Sequence, residues 1–402
     1  MIQSLKRYIR LFFIILFFKK EKLILLNHLI SYFITKSFTR KKFKEKEKKV
    51  ALSLSINWLL SSQKKNQDGG FRTFYIVDKW TSSYPETSGY IIPTLYNYIK
   101  HQQDRKEEIE KSIIQCGNWL VEIQKPSGGW QSYYVEHNRP EVVFNTGQVI
   151  RGLIIAYQIT KEEKYLSSIK KACDWLVEIQ EEDGSWIKMA SMQQPRVYDS
   201  YVSHPLLMVY GITKNENYKQ AAIKNLNWIL TQQQSNGWFN NVDNTQKHND
   251  RPILHTIAYT IDGLINCGIL LNDTKYIEAG KKAADRLLAL FNQNEFLNGR
   301  FDRNWLTSEY MICTGCAQMS IVWSLLFELT KEETYFEAVK KMNDQLVYIQ
   351  HSCLTIKGEG NGAIPGSFPI WGKYEPFGFP NWASKYFADA LMGELEKSGS
   401  RQ

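Results

Sequence analysis

Residues 119–130 read WLVEIQKPSGGW and residues 175–186 read WLVEIQEEDGSW. In both, a Trp stands five residues before a Gln, and a glycine turn with a second Trp follows. The pattern recurs at Trp58 to Gln63 (WLLSSQ) and Trp228 to Gln233 (WILTQQ), and more loosely at Arg286 to Phe291 (RLLALF) and Gln345 to Gln350 (QLVYIQ). Successive copies begin 61, 56, 53, 58 and 59 residues apart. Glycine after the Gln lets the chain leave a helix sharply: Gly69, Gly128, Gly184 and Gly237 stand in that place, each followed by an aromatic ring. After each turn comes a loop and then a second helical segment: Glu86 to Lys100, Asn145 to Thr160, Tyr198 to Thr213, His255 to Leu271, Met311 to Thr330 and Trp382 to Glu396. A hairpin of this size cannot bury both faces alone, so the copies must stack. Six hairpins closed into a ring, second helices inside and first helices outside, make an all-α fold, an α/α toroid, over residues 50–402.

The chain has 402 residues, 43% of them hydrophobic and 13% aromatic, which excludes a mainly disordered chain. Its net charge of +9 is a property of one end. Residues 1–49 hold 14 Lys or Arg and three acids, so of the 50 basic and 41 acidic side chains the other 353 residues keep 36 and 38. A nearly neutral body without a helix-turn-helix or zinc-finger pattern argues against nucleic acid as a partner. Six cysteines in so long a chain are too few for a disulfide framework and read as reduced thiols, which places the protein in the cytoplasm.

The first 49 residues form a separate basic amphipathic segment. The apolar run Leu11 to Phe18 is too short to span a bilayer and is stopped by Lys19 and Lys20. A second apolar patch, Leu23 to Phe33, precedes the basic stretch Arg40 to Lys49. Cations mixed with Phe, Leu and Ile suit a helix lying on an anionic membrane surface, here the inner face of the cell membrane. The alternative is a pair of helices packed on the body.

The Gln-x-x-x-Gly-x-Trp element resembles the QW repeat of squalene and hopene cyclases and of protein prenyltransferase β subunits, and six hairpins also describe the six-hairpin glycosidase-like enzymes. Residues 361–372 (NGAIPGSFPIWG), 379–391 (FPNWASKYFADAL), 84–90 (YPETSGY) and 144–149 (FNTGQV) resemble a bacterial group of toroid proteins that accompany gene sets for surface polysaccharide assembly. The resemblance covers most of residues 50–396. It implies a glycan, or a lipid-linked glycan, as substrate.

Polar residues at the starts of the inner helices have no packing reason to be there. His255, Tyr259 and Asp262 stand at i, i+4 and i+7, so one helix face presents an imidazole, a phenol and a carboxylate, the groups proton transfer uses. Glu86, next to Pro85, is either a first-turn acid facing the helix dipole or the carboxylate of a sugar site. Asp199 is either an N-cap or the second of two carboxylates for glycoside chemistry. His255, Tyr259, Glu86 and Asp199 are therefore the catalytic candidates. Tyr90, Asn145, Gln148 and Lys385 stand with them at helix starts, Trp371 and Trp382 offer flat faces for sugar rings, and Arg139 and Arg251, each beside a Pro, are forks for a carboxylate or phosphate. Cys313 and Cys316 lack a second pair and read as buried packing, so the reading needs neither metal nor cofactor.

These residues point to a carbohydrate-active enzyme of the glycoside hydrolase, polysaccharide lyase or epimerase type. A terpenoid cyclase or prenyltransferase is the alternative, weakened because neither D-x-D-D nor D-C-T-A-E occurs. A glycan-binding toroid without catalysis is the third reading.

Overall fold

The computed structural model describes residues 19–65, 67–76, 79–245, 251–307, 310–353 and 359–399; the Leu11 to Phe18 run lies outside them. After α1 (Lys19–Leu29), twelve helices alternate between an outer and an inner ring. The outer helices are α2 (Glu45–Lys64), α4 (Lys106–Glu122), α6 (Glu163–Glu178), α8 (Glu216–Thr231), α10 (Thr274–Asn294) and α12 (Glu333–Cys353). The inner ones are α3 (Pro85–His101), α5 (Val143–Thr160), α7 (Ser200–Thr213), α9 (Leu254–Leu271), α11 (Cys313–Thr330) and α13 (Asn381–Gly399). Each inner helix packs on the next, and α13 returns to α3, closing one ring with no break near residue 240.

Composition assigns the rings. Outer helices carry one apolar stripe: in α6, Tyr165, Leu166, Ile169, Cys173 and Leu176 are buried while Glu and Lys face out. Inner helices are buried nearly all round, as α5 is from Val143 to Ala156. Helix α9 is long and apolar enough to cross a membrane, yet it is part of this inner ring and mostly buried by its neighbours. Small residues let the inner helices approach: a Cβ on Gly263 would fall 2.4 Å from Ser200 Oγ.

The recurrent Gln is a strap between hairpins. Gln63, Gln124, Gln180, Gln233 and Gln350 each donate from Nε2 to the carbonyl of the following turn glycine. The same amides also reach a carbonyl of the next outer helix, at Ser112, Ser168, Ala221, Ala279 and, across the closure, Ala51. In the fifth copy Phe291 replaces the Gln, and Gln345 of α12 reaches back to the Glu295 carbonyl instead. The indole nitrogens of Trp130 and Trp186 donate to the carbonyls of Leu120 and Leu176, so these rings hold the repeat together.

The turn glycine is required by its backbone. Gly184 has φ +92, and a Cβ there would meet the Lys224 carbonyl at 2.4 Å. Gly184→Ala is expected to cost roughly 2–4 kcal/mol, whereas Gly211→Ala, inside α7 with open space around it, should stabilise by roughly 0.5–1 kcal/mol. Urea midpoints of the two variants check this, and equal midpoints would remove the turn geometry as the cause.

Inner helices hand over to outer ones through links of two or four residues, such as Lys161 to Glu162, at one end of the ring. The long outer-to-inner loops therefore gather at the other end, over the amino-termini of the inner helices. Five two-residue strands tie these loops: β1 (Phe74–Tyr75) pairs with β2 (Lys79–Trp80) and β5 (Gly378–Phe379), and β3 (Met311–Ile312) with β4 (Ser367–Phe368).

The amino-terminal segment enters this body. Helix α2 starts at Glu45, before residue 50, and Lys48 is buried between Asp344 at 2.8 Å and Glu394 at 2.7 Å. Ile24, His28, Tyr32 and Phe38 are buried too, so part of the basic segment packs on the toroid.

Candidate functional site

At the loop end, Pro85 opens α3 and Glu86 occupies its first turn. The Tyr84 hydroxyl donates to Glu86 Oε2 at 2.7 Å, and Asn145 Nδ2 donates to the Tyr84 oxygen at 3.1 Å. An amide NH₂ can only donate, so the Tyr84 proton is committed to Glu86. Burial raises the Glu86 carboxyl to about 7, against a smaller lowering by the Tyr84 hydrogen bond. Its charge adds to burial in raising Tyr90, Tyr198, Tyr259 and Tyr374.

Beneath Glu86 the inner helices close on a cluster of rings. His255 lies 4.4 Å from Tyr259, which lies 4.6 Å from Tyr201 and 5.9 Å from Tyr386, between ring centres. Tyr90 and Tyr386 are 5.7 Å apart, with the Lys385 ammonium 3.7 Å from the Tyr386 ring. Gln318 Oε1, an acceptor only, lies 2.7 Å from His255 Nδ1, so Nδ1 carries the proton and the Nε2 lone pair is available. Burial is the main reason that the imidazole is lowered to about 4, and Lys385 adds to it.

A layer of charge lies deeper still. Lys385 pairs with Asp389 at 2.8 Å. Arg151 donates to Gln148 Oε1, to His204 Nδ1 and to the Tyr201 carbonyl. Asp262 is raised by burial, with Arg151 and Lys385 opposing. The third member of the His255, Tyr259 and Asp262 face thus belongs to this charged layer.

The structure brings together Glu86, Tyr90, His255, Tyr259 and Lys385, with Asn145 one hydrogen bond away through Tyr84. Trp382 joins from α13, its indole donating to Tyr374 Oη at 2.8 Å. Gln148 serves Arg151. Other expectations are corrected. Asp199 makes no cap bond: it is buried on the short turn before α7, raised by desolvation with Arg196 opposing. Tyr198 is raised chiefly by burial, and both Asp199 and Glu86 add to it. Arg139 does not line the interior; it is exposed on the rim, 4.1 Å over the Tyr133 ring, which stacks on Tyr84. Arg251 is exposed, and its carbonyl serves Arg300. Trp371 is set against His28 of α1.

Tyr374 and Glu375 complete the mouth and were missed by sequence reasoning, though they stand between two stretches singled out above. Tyr374 lies 5.9 Å from His255 and covers it, while Tyr75 donates to Glu375, whose carboxyl is raised by burial. The interior is not an open basin. Tyr90, Tyr259 and Tyr386 are at most 2% exposed, and the accessible layer is Tyr84, Glu86, Tyr374, Glu375 and Trp382.

Tyr84→Phe removes the bond that lowers the Glu86 pKa, so the carboxyl should titrate above about 7. A carboxyl-selective infrared titration should show its ionisation moving to higher pH, and an unmoved midpoint would disconnect the two groups.

Residues 131–287 match the family model Glycosyl Hydrolase Family 88. The match includes Asn145, Asp199 and His255 but not Glu86. Among curated proteins, Protostadienol synthase A of Arthroderma gypseum is 23% identical over 163 residues, 39% of this chain; the matched part spans about a fifth (21%) of that relative. Among solved structures, an unsaturated glucuronyl hydrolase specific for heparin has TM-score 0.68 at 14% identity, covering 89% of this chain and 99% of that one. The unsaturated glucuronyl hydrolase of Bacillus sp. GL1, responsible for the degradation of glycosaminoglycan, has TM-score 0.66 at 14% identity, covering 85% and 95%. That of Streptococcus agalactiae has TM-score 0.64 at 14% identity, covering 88% and 92%. At such identities the likeness is one of architecture: this chain has the six-hairpin α/α toroid fold of the unsaturated glucuronyl hydrolases.

Proposed function

We propose that the protein is a glycoside hydrolase acting on an acidic glycan, with Glu86 as proton donor. The observation that carries this is the inverted order of two groups at the starts of inner helices: a carboxyl that keeps its proton to about 7 on α3 and, on α9, an imidazole that stays neutral down to about 4. Between those limits the acid is Glu86 and the base is His255. Glu86 gives its proton to the glycosidic oxygen as the bond from that oxygen to the anomeric carbon breaks. Water adds to the carbon and yields its proton to His255 Nε2 once Tyr374 has moved aside. Hydrolysis consumes one water and frees two hydroxyl-bearing products, and the two residues then exchange the proton back through solvent.

Trp382, Tyr374, Tyr84 and Tyr133 offer ring faces to pyranoses, and Arg139 on the rim is a fork for a uronate carboxylate. The family match over residues 131–287 and the glucuronyl hydrolase neighbours support a glycan substrate. A surface polysaccharide or its lipid-linked precursor is the form we infer, on the sequence resemblance given above. The buried tyrosines would also suit a carbocation, but the Lys385–Asp389 pair beneath them does not suit an isoprenoid pocket.

The test is a panel of uronate-terminated oligosaccharides, saturated and 4,5-unsaturated, with their neutral counterparts, analysed chromatographically for new reducing ends. Cleavage confined to the acidic members is expected. Cleavage of neutral members alone, or of none, would sink the proposal.

A further inference from the structure

Helix α1 and the π-helical turn after it, Ile30–Ile34, have two apolar faces. Ile24, His28, Ser31 and Tyr32 are buried on the body. Facing away from it are Leu26, Leu29, Ile30, Phe33 and Ile34, exposed by 52, 44, 39, 55 and 69%. Their spacing of three, one, three and one is that of a continuous helical stripe. A soluble surface helix presents polar residues on that side, so among the described residues the stripe is an unpaired face.

The inward face holds the helix rigidly. His28 Nδ1 accepts from the Ile370 amide at 3.1 Å, so Nε2 carries the hydrogen and donates to Ser352 Oγ at 2.8 Å. Tyr32 and Phe38 stack on each other and meet Phe296 and Phe368 edge-on. The receiving loop is the one that builds the mouth. From Phe368 and Trp371, which touch His28, three residues lead to Tyr374, which covers His255. Helix α1 and the candidate site therefore share one loop, at the end where the inner helices begin.

We propose that Leu26, Leu29, Ile30, Phe33 and Ile34 dock on an anionic lipid bilayer, at the cytoplasmic face, and that this docking brings the mouth of the toroid to the lipid surface. The choice of a bilayer rests on charge. Arg40, Lys41, Lys42 and Lys44 are exposed just beyond the stripe, and residues 1–49 carry 14 cations against three acids. Apolar side chains entering the acyl boundary with cations at headgroup level are the two signals stable attachment requires. A second copy of the chain would bring the same cations against each other, which disfavours a dimer through this face. The far end of the ring also exposes Ile212, Ile269, Leu270 and Leu329, but on three separate helix ends, where the exposed Lys214 and Lys331 stand among the acids Glu216, Glu332 and Glu333. If the glycan reading of the site is right, this placement suits a sugar carried on a lipid; the docking itself does not depend on that reading.

Flotation of the full chain with phosphatidylcholine vesicles, with and without phosphatidylglycerol, tests the surface. The chain should float with the anionic vesicles, and the triple variant Leu29→Ser, Phe33→Ser, Ile34→Ser should lose at least tenfold in partitioning with its thermal midpoint within a few degrees, because these side chains are largely exposed and only Phe33, edge-on to Tyr32, has a ring contact among the described residues. A parent that stays in solution, or a variant that floats equally well, overturns the proposal. So does a parent dimer in light scattering that the variant abolishes. Orientation is read separately. All six native cysteines are buried, so an added surface cysteine labels selectively. A fluorophore at Lys373→Cys, beside the mouth, should be quenched by nitroxide lipid, and one at Glu332→Cys, at the far end, should not. Equal or reversed quenching would mean that another face meets the membrane.

Discussion

Glu86→Gln is expected to lower kcat on an unactivated acidic glycoside by roughly 10²–10⁴, the usual contribution of a positioned proton donor. The loss should be much smaller on an aryl glycoside, whose leaving group departs without protonation. The parent's alkaline limb near 7 should be absent from the residual activity. The same substitution should stabilise the fold at high pH. The folded carboxyl titrates near 7 and the free one near 4.5, so the folded state binds this proton more tightly. Its contribution to stability is full below about 4.5 and is lost as pH rises through about 7. The two proteins should therefore have similar stability at low pH, with the Gln variant ahead by roughly 3 kcal/mol at alkaline pH. Urea unfolding at both pH values measures this. A variant that loses activity without the alkaline gain would mean that Glu86 is already ionised in the folded chain, and so no acid.

His255→Ala should also cost roughly 10²–10⁴ in kcat, if the imidazole takes the proton of the attacking water. His255 is also part of the packing: it is 5% exposed, bonded to Gln318 and packed on Tyr259. Truncation leaves a hole and an unpaired amide oxygen, worth roughly 2–4 kcal/mol together. Assays must therefore run well below the midpoint. His255→Gln separates the roles, since it can keep the polar contact but cannot act as base. Both variants should be inactive, and any residual rate should lack the acid limb near 4. Recovery of the parent rate by Gln would make His255 a positioning residue only.

Much of this was legible in the chain. Periodicity alone determined the six hairpins and the assignment of rings, because the stripe pattern of an outer helix and the all-round apolarity of an inner one are local properties. It also placed Glu86, His255, Tyr259 and Lys385 at inner-helix starts, and a closed ring can only bring those starts together. The resemblance to six-hairpin enzymes pointed to the architecture that the solved toroids share.

The remainder depends on contacts between residues far apart in sequence. Asp199 and Glu86 have the same chemistry and both stand near the start of an inner helix, yet folding leaves one buried with Arg196 opposing its shift and the other bonded to Tyr84. Tyr374 and Glu375 have no periodic signal, since they lie on a loop whose course is set by two strand pairings. The amino-terminal segment shows the division most plainly. Its composition called for an amphipathic helix, but Leu and Phe look alike whichever way they face. Only the fit of His28 and Tyr32 against residues 296, 352, 368 and 370 decided which side is buried and which is left to meet another surface. Local propensity depends on neighbours along the chain, whereas burial, and with it every shifted pKa of the site, depends on what the whole fold stacks around a group.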